Sequence, residues 1–257
     1  MGEADMVYLV TGANRGIGRT LAGELLARNL TTVIAAVRNV DDETATSLLL
    51  LPVAEGSKLH VIALNEKEPS IDSKTLPDRL QEIGITRLDV VVSNAGGSVA
   101  FRPVVDARAA ELLSDYETNV LAPLGLFQAC WPLLKKSDGS DARRKKFVYV
   151  SSTVGSIGVQ MMEHFPSTGY GASKAAGNWL AVAIALEHKR DGLKTGIFHP
   201  GFVATGLGKQ AAVVMGMEGE PPMAATDSGA ALLKHIDALD MERSGTFDSC
   251  HGKILPW

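Results

Sequence analysis

The stretch TGANRGIG at residues 11–18 decides the fold of this chain. It follows an apolar run and precedes a segment whose apolar residues have helical spacing. In a strand, turn and helix of this kind, Gly12 forms the tight turn, Gly16 lets a pyrophosphate approach the backbone, and Gly18 lets the helix pack on the strand. Free N–H groups at the start of the helix then bind phosphate. The stretch predicts a dinucleotide site, and the alternative is a glycine turn without a ligand.

Strand-like and helical patterns alternate along the rest of the chain. Apolar runs that end in small or polar residues occur at 6–12, 31–38, 58–65, 88–97, 146–152 and 194–201. Long helical stretches lie near 106–135 and 169–190. This order predicts an α/β protein with a single-domain Rossmann fold over residues 1–257, in which helices cover both faces of a doubly wound parallel sheet. Residues 202–226 have weak periodicity with several Gly and Pro, which predicts a mobile substrate lid.

Composition and charge limit the classes of partner. The chain has 257 residues, of which 46% are hydrophobic, and a net charge of −4. A nucleic-acid-binding domain normally presents a basic face, so we expect no nucleic-acid partner. The one basic run, at 143–146, reads as a solvated loop that enters a strand. No apolar run is long enough to span a bilayer, and we expect no membrane partner.

The cysteines and the opening residues bear on the compartment. Cys130 and Cys250 are too few for a disulfide framework and lack the spacing of metal ligands. We therefore expect no metal and a reducing environment. The opening residues MGEADM are acidic and lack the apolar core of a signal peptide, so we expect a cytoplasmic protein.

The side chains expected beside the adenosine ribose are basic. An acidic residue after the second strand would favour a cofactor with free ribose hydroxyls, but this chain has Arg38 there. Arg15 lies inside the glycine loop. Two guanidinium groups suit a 2′-phosphate, so the pair favours NADP over NAD, although either arginine alone is typical of a solvated surface.

The stretch STGYGASKAAGN, at 167–178, places Tyr170 one helical turn before Lys174. The spacing alone fits two unrelated surface residues. However, Ser151 and Ser152 end the preceding strand, and the carboxyl ends of parallel strands meet where the ligand binds. Lowering a tyrosine pKa from about 10 to near 7 needs roughly 4 kcal/mol, which one cation at about 4 Å supplies at an effective dielectric of about 20. We therefore expect Lys174 to tune Tyr170 for proton transfer.

Taken together, these motifs resemble those of the short-chain dehydrogenase/reductase family over essentially the whole chain. TGANRGIG, NAGG, SS, YGASK and HPGFVAT occur in the order found in that family. The resemblance implies that Tyr170 is the general acid and that Ser152 orients the substrate. It implies that Lys174 binds the nicotinamide ribose and lowers the tyrosine pKa. Asn119 would kink its helix and hold a water in a proton relay.

The resemblance also implies a set of cofactor-binding residues. These are Gly12, Asn14, Arg15, Gly16, Ile17, Gly18, Arg38, Asn65, Asn94, Ala95, Gly96, Tyr170, Lys174, Pro200, Gly201, Val203 and Thr205. Asn65 stands where the family often has an Asp that meets the adenine, and its side-chain carbonyl can still accept a hydrogen bond. Gly206 stands where many relatives carry an Asp.

The segment between Ser152 and Tyr170 is longer than is usual in the family. With HPGFVAT and the ending FDSCHGKILPW, it resembles a subgroup that contains sniffer-type carbonyl reductases and fungal norsolorinic acid ketoreductase-like enzymes. This implies an NADPH-dependent ketoreductase for a bulky ketone of aromatic or polyketide type. Besides Ser152, the expected substrate contacts are Met161, Met162 and Phe165, because apolar residues in a loop beside a site need a partner. Met215 is expected to line the lid and contact substrate, with core filling as the alternative. His164 reads as a solvated loop residue.

Two other functions stay open at this point. The first is an oxidative NADP-dependent alcohol or steroid dehydrogenase on the same scaffold. The second is a non-catalytic NADP-binding regulator, which would be expected to lose Tyr170 or Lys174. The long helices at 110–134 and after Tyr170 are apolar on more than one face, and in the family they form a dimer surface. We therefore expect a homodimer or homotetramer.

Overall fold

The computed structural model describes residues 5–64, 75–138 and 141–257. Within them, seven strands form one sheet in the order β3-β2-β1-β4-β5-β6-β7, and every neighbouring pair is parallel. The strands are β1 Met6–Thr11, β2 Thr31–Val37, β3 Lys58–Ala63, β4 Val90–Ser93, β5 Lys146–Val150, β6 Lys194–His199 and β7 Phe247–Ser249. The helices are α1 Gly16–Leu26, α2 Glu43–Thr46, α3 Thr75–Glu82, α4 Ala109–Tyr116, α5 Ala122–Leu134, α6 Ile157–Met162, α7 Thr168–Glu187, α8 Gly206–Val214 and α9 Ala225–Ala238.

Helices cover both faces of the sheet, and strand alternation divides the core between them. Tyr8 and Val10 of β1 pack into the cluster that α1 and α9 cover. Val7 and Leu9 of the same strand pack into the cluster that α3, α5 and α7 cover. Successive side chains of a strand point to opposite faces, so a central strand covered on both sides must be apolar throughout. The predicted doubly wound α/β Rossmann fold is confirmed.

The strand order positions the site. The order reverses between β1 and β4, which pair directly with each other. Ligands of open parallel sheets bind beyond the carboxyl ends of the strands at such a reversal. The glycine loop follows β1 at this point, and residues 94–97 follow β4 beside it.

The helical stretch near 106–135 is interrupted in its middle. A π-helical turn at Glu117–Leu121 separates α4 from α5. The hydroxyl of Tyr149 donates to the backbone carbonyl of Asn119 at 2.9 Å, which draws that carbonyl toward the sheet. Interruptions of this kind occur mostly at functional sites. The structure thus places a π-helical turn at Asn119, where the resemblance implied a kink.

The segment predicted to be a mobile lid contains α8. The hydroxyl of Thr205 accepts from the backbone N–H of Gly208 at 3.3 Å and caps this helix. Val203 forms a β-bridge with Met223, which ties the two ends of the segment together. α8 buries only Ala212. Its apolar periodicity is therefore weak, and the sequence pattern did not predict this helix. Among the described residues, no helix is long and apolar enough to cross a membrane.

Candidate active site

The glycine loop forms a cradle of backbone at one end of a large cavity. Gly12 and Gly16 have positive φ angles of 62° and 54°, which other residues adopt only with strain. A Cβ on Gly18 would lie 2.4 Å from the carbonyl oxygen of Gly12, so only glycine lets α1 pack this closely on the loop. No side chain of the described residues caps α1 at Arg15, so the first N–H groups of α1 are left for a ligand.

Basic side chains line the cavity next to this cradle. Arg15 and Arg38 are both exposed and both line the cavity, Arg15 from the glycine loop and Arg38 from the end of β2. The Asn14 side chain donates to the hydroxyl of Thr44 at 2.8 Å and joins the loop to α2. Both arginines that the sequence analysis assigned to a 2′-phosphate therefore line the cavity. Asn65 lies outside the described residues.

The residues after β4 connect the cradle to the catalytic side. The Asn94 side chain donates to the carbonyl of Thr11 at 2.8 Å, and the backbone N–H of Ala95 donates to the hydroxyl of Thr11 at 3.0 Å. A Cβ on Gly96 would lie 3.0 Å from Oδ1 of Asn119 and 3.1 Å from Nζ of Lys174. A side chain at position 96 would therefore crowd the groups expected to act on the substrate.

Tyr170 and Lys174 lie on α7 and are both buried. Nζ of Lys174 donates to the carbonyl of Val150 at 2.9 Å and lies 5.8 Å from the centroid of the Tyr170 ring. Ser152, at the end of β5, accepts from the backbone N–H of Val154 at 3.2 Å. Tyr170, Lys174 and Ser152 all line the same cavity as the glycine loop.

Asn119 lies behind this group and holds the chain after β4. Its Oδ1 accepts from the backbone N–H of Gly97 at 3.1 Å, and its Nδ2 donates to the carbonyl of Gly97 at 2.8 Å. Nδ2 also lies 3.0 Å from the hydroxyl of Ser173 on α7. The observed role of the Asn119 side chain is to join α7 to the residues after β4, and its predicted role in a water relay stays a prediction.

The pKa of Tyr170 differs from the value near 7 expected from the sequence. Burial raises the pKa of Tyr170 to about 12, a hydrogen bond with Ser152 lowers it, and the carboxylate of Asp115 raises it further. Loss of solvent penalises the phenolate more than its neighbours stabilise it. In this structure the tyrosine keeps its proton at neutral pH, which is the form that a general acid requires.

The cavity has an apolar wall beside Tyr170. The whole cavity has a volume of about 1230 Å³. Phe101 stands edge-on to Tyr170 with ring centroids 5.8 Å apart, and edge-on to Phe165 at 5.2 Å. Apolar side chains form the rest of this wall, namely Val99, Val154, Val159, Phe202, Leu207 and Met215. The predicted contacts Phe165 and Met215 therefore lie at the cavity.

The other two methionines predicted to contact substrate do not reach the cavity. Met161 is 84% exposed and Met162 is 72% exposed, and neither lines the cavity wall. The insertion forms the short helix α6, whose phase directs Val159, Gln160 and the following Glu163 toward the cavity. Met161 and Met162 therefore occupy the opposite face. The prediction treated the insertion as a loop and missed this helical phase.

Three site residues were not found from the sequence. Asp115 lies four positions before Asn119 on the same helical face, a spacing that could have indicated it. His164 is exposed, as expected, but it also lines the cavity, where Gln160 and His164 form a hydrogen bond of 2.8 Å. His199 ends β6 beside Ser152, and its Nδ1 accepts from the backbone N–H of Thr153 at 3.2 Å. Burial, together with the nearby His251, lowers the pKa of His199 to about 4.

Remaining cofactor positions follow β6. Pro200, Gly201, Val203 and Thr205 line the cavity opposite the glycine loop. A Cβ on Gly16 would lie 3.1 Å from Cγ2 of Thr205, so the two segments approach closely. Among the described residues, no group of His, Cys, Asp and Glu is arranged to hold a metal ion.

Comparison with known proteins yields consistent matches. The family model described as short chain dehydrogenase matches residues 6–213. Norsolorinic acid ketoreductase of Aspergillus parasiticus is 36% identical over 257 residues, covering 98% of this chain and 92% of that protein. The NADPH-bound carbonyl reductase from chicken fatty liver superposes with a TM-score of 0.82 at 27% identity, covering 99% of this chain and 100% of that one. Carbonyl reductase Sniffer of D. melanogaster has the same fold, with a TM-score of 0.82 at 23% identity and coverage of 99% and 100%.

Proposed function

This chain belongs to the short-chain dehydrogenase family, and from this premise we propose that it is an NADPH-dependent ketoreductase for bulky ketones of aromatic or polyketide type. One observation carries the proposal. Tyr170, Ser152 and Lys174 converge on the cavity into which the glycine loop opens. An acid, an oxygen-binding hydroxyl and a cation beside a dinucleotide cradle form the set that carbonyl reduction requires.

The residues present fit NADP(H). The α1 N-terminus and Gly16 would hold the pyrophosphate. Gly18 lets α1 start close to the loop, since a Cβ there would collide with the carbonyl of Gly12. Arg15 and Arg38 would bind the 2′-phosphate, and Lys174 would bind the nicotinamide ribose. The chicken liver reductase with this fold binds NADPH. When bound, NADPH supplies the hydride that reduces the ketone carbon.

Tyr170 provides the proton. Its hydroxyl donates to the ketone oxygen as negative charge develops there, which gives the alcohol and leaves a phenolate on the enzyme. Ser152, which hydrogen-bonds with Tyr170, holds the same oxygen. Lys174, on the same side of α7, lies close enough to the Tyr170 ring to stabilise the phenolate after transfer.

The shape of the cavity supports a large substrate. Binding of a flat, multi-ring ketone comes mainly from buried apolar area with a few polar anchors. The wall built from Phe101, Phe165 and Tyr170 supplies that area, with its rings in edge-on contact. A small polar ketone would leave most of this wall unused. The A. parasiticus relative is named for a ketone substrate, norsolorinic acid.

The oxidative alternative has less support. An oxidative dehydrogenase uses the same groups with Tyr170 as proton acceptor, whereas the A. parasiticus relative is named a ketoreductase and the chicken liver protein a carbonyl reductase. The regulatory alternative is disfavoured because a protein without turnover has no need of both Tyr170 and Lys174. A cytoplasmic location stays a prediction.

The test is a reductase assay on purified protein with the change Tyr170→Phe. Wild type should consume NADPH with aromatic polyketide-type ketones faster than with small aldehydes. Tyr170→Phe keeps the ring but removes the proton donor, so kcat should fall about 10²–10⁴-fold while the Kd for NADPH changes little. Near-normal turnover in the variant would refute the mechanism. NADPH binding without turnover on any carbonyl in wild type would favour the regulator.

A further inference from the structure

The chain between β4 and α4 includes a loop, residues 97–102, that runs along the substrate end of the cavity. Two contacts from the α4 side hold its ends. Asn119 exchanges two hydrogen bonds with the backbone of Gly97, at 3.1 and 2.8 Å. Glu111 forms an ion pair with Arg102, in which Nε of Arg102 lies 2.9 Å from Oε2 of Glu111.

Asp115 holds the middle of the same loop. Its Oδ1 accepts from the backbone N–H of Val99 at 2.8 Å, and its Oδ2 accepts from the hydroxyl of Ser98 at 2.9 Å. Only 1% of the residue is exposed. A carboxylate buried this far is retained only where its hydrogen bonds offset the loss of solvent. Glu111, Asp115 and Asn119 are spaced four positions apart, so one helical face carries all three contacts.

This loop carries Phe101, which forms part of the wall against Tyr170. The rings of Phe101 and Tyr170 meet edge-on at 86°. Asp115 also limits the approach of α7, because a Cβ on Gly169 would lie 2.9 Å from Oδ2 of Asp115. The carboxylate thus lies between the loop and the first turn of the helix that supplies the general acid.

We propose that Asp115 is a positioning residue, which fixes loop 97–102 so that Phe101 and Tyr170 present one rigid wall to the substrate. This inference rests on the proposed ketoreductase function. It goes beyond that function because it assigns a part in substrate selection to Asp115, which has no part in the proposed chemical step. A bulky ketone uses the wall, whereas a small carbonyl needs only the oxygen-binding groups. The effect of Asp115 therefore falls on the KM of bulky ketones.

The test compares Asp115→Leu with Asp115→Asn in the purified full chain. Leucine removes both acceptors, whereas asparagine keeps the acceptor for Val99. Asp115→Leu should raise KM about tenfold or more for an aromatic ketone and less than about threefold for a small aldehyde, because hydrogen bonds to charged groups hold the loop. The Kd for NADPH should stay unchanged. Asp115→Asn should have a KM for the aromatic ketone close to that of wild type. The matched control is Asp106→Asn, because Asp106 is exposed on the turn after the loop.

A second readout does not depend on turnover. Hydrogen exchange of the Val99 amide should become about tenfold faster in Asp115→Leu and change little in Asp115→Asn. If Asp115→Leu does not fold, Ser98→Ala removes one of the two bonds from the loop side, where Ser98 is half-buried, and should give a smaller shift in the same direction. The proposal is overturned if the Val99 amide of Asp115→Leu exchanges at the wild-type rate. It is also overturned if Ser98→Ala keeps both the wild-type exchange rate at Val99 and the wild-type ratio of KM for the aromatic ketone to KM for the small aldehyde. Failure of the wild type to reduce any ketone would refute the proposed function and leave the exchange result to decide the role of Asp115.

Discussion

At Tyr170, burial and the hydrogen bond with Ser152 shift the pKa of one hydroxyl in opposite directions. Loss of solvent raises the pKa of Tyr170 to about 12, and the hydrogen bond with Ser152 lowers it. The neighbouring Tyr149 is also buried, and its pKa is raised well above the ordinary value. Both phenols therefore stay protonated at neutral pH. The protonated form of Tyr170 is the one that can donate to a ketone oxygen.

The choice of dinucleotide depends on two arginines that share the cavity. Arg38→Asp should remove one charge-assisted contact and repel the 2′-phosphate. Hydrogen bonds to charged groups are worth about 1.5–3 kcal/mol, so the Kd for NADPH should rise about tenfold or more. The Kd for NADH should change far less. Titrations of both dinucleotides against wild type and variant measure this, and equal wild-type affinities for NADH and NADPH would contradict the assignment of Arg15 and Arg38.

His199 makes stability depend on pH in the acid range. Burial lowers its pKa from 6.5 to about 4, with His251 as a smaller cause. The unfolded chain therefore takes up a proton at a higher pH than the folded one, and stability present above pH 6.5 is lost as the pH falls toward 4. The full shift corresponds to roughly 3 kcal/mol. Urea unfolding of wild type and His199→Asn between these pH values measures the difference.

The variant should show a flatter dependence of unfolding free energy on pH than wild type. Exposed His164→Asn serves as the control and should keep the wild-type slope. The asparagine oxygen can still accept from the N–H of Thr153, which is 3.2 Å from His199 Nδ1 in wild type. An unchanged slope in His199→Asn would show that another group causes the acid sensitivity.

At the scale of elements, the phase of α6 determines which residues of the insertion meet the substrate. Phe165 lines the cavity just beyond α6, whereas Met161 and Met162 face away from it. Phe165→Ser should raise KM for a bulky ketone several-fold more than for a small aldehyde, because it removes an aromatic wall. The double change Met161→Ser and Met162→Ser should leave the ratio of the two kcat/KM values unchanged. If the methionine variant changes this ratio more than Phe165→Ser does, α6 must rotate on substrate binding so that Met161 and Met162 face the cavity.

The interrupted helix shows how an element can serve two purposes. α4 and α5 would be continuous without the π-helical turn at Glu117–Leu121. At the turn, the backbone carbonyl of Asn119 accepts a hydrogen bond from the hydroxyl of Tyr149. The side chain of Asn119 donates to the carbonyl of Gly97. Periodicity alone predicted one long helix, and only the resemblance indicated the kink, because the bond to Tyr149 joins residues thirty positions apart.

For the whole molecule, an exposed apolar face supports the proposed oligomer. Trp179 and Leu186 of α7 are 74% and 69% exposed, and Leu113 of α4 is 65% exposed. By contrast, Phe127 and Ile184 are buried in the core of the monomer, so they cannot form the interface expected from the sequence. Apolar side chains left exposed on neighbouring helices favour association with a second copy.

Trp179→Glu should convert the oligomer to a monomer, because it places a charge on the exposed apolar face of α7. Light scattering at micromolar concentration should give a dimer or tetramer mass for wild type and a monomer mass for the variant. Leu50→Glu is the control, since Leu50 is 84% exposed on a different part of the surface. A monomer mass for wild type would refute the homo-oligomer.

The sequence by itself determined the features that depend on local order. Buried strands alternating with helices predicted the parallel sheet, and the glycine spacing in TGANRGIG predicted the cradle after β1. Tyr170 and Lys174 could be paired because four positions make one helical turn. Motif order along the chain then predicted the family. These features can be predicted from the sequence because each depends on residues that are neighbours in the chain or on the general rule that places ligands at strand ends.

Only the tertiary structure decided the features that depend on packing between distant segments. The outward direction of Met161 and Met162 follows from how α6 docks beside the cavity, and the raised pKa of Tyr170 follows from its burial. Asp115 became part of the site because the loop at 97–102 folds back onto α4. Desolvation and contacts of this kind sum over many groups that are far apart in the chain, so no local pattern of residues encodes them.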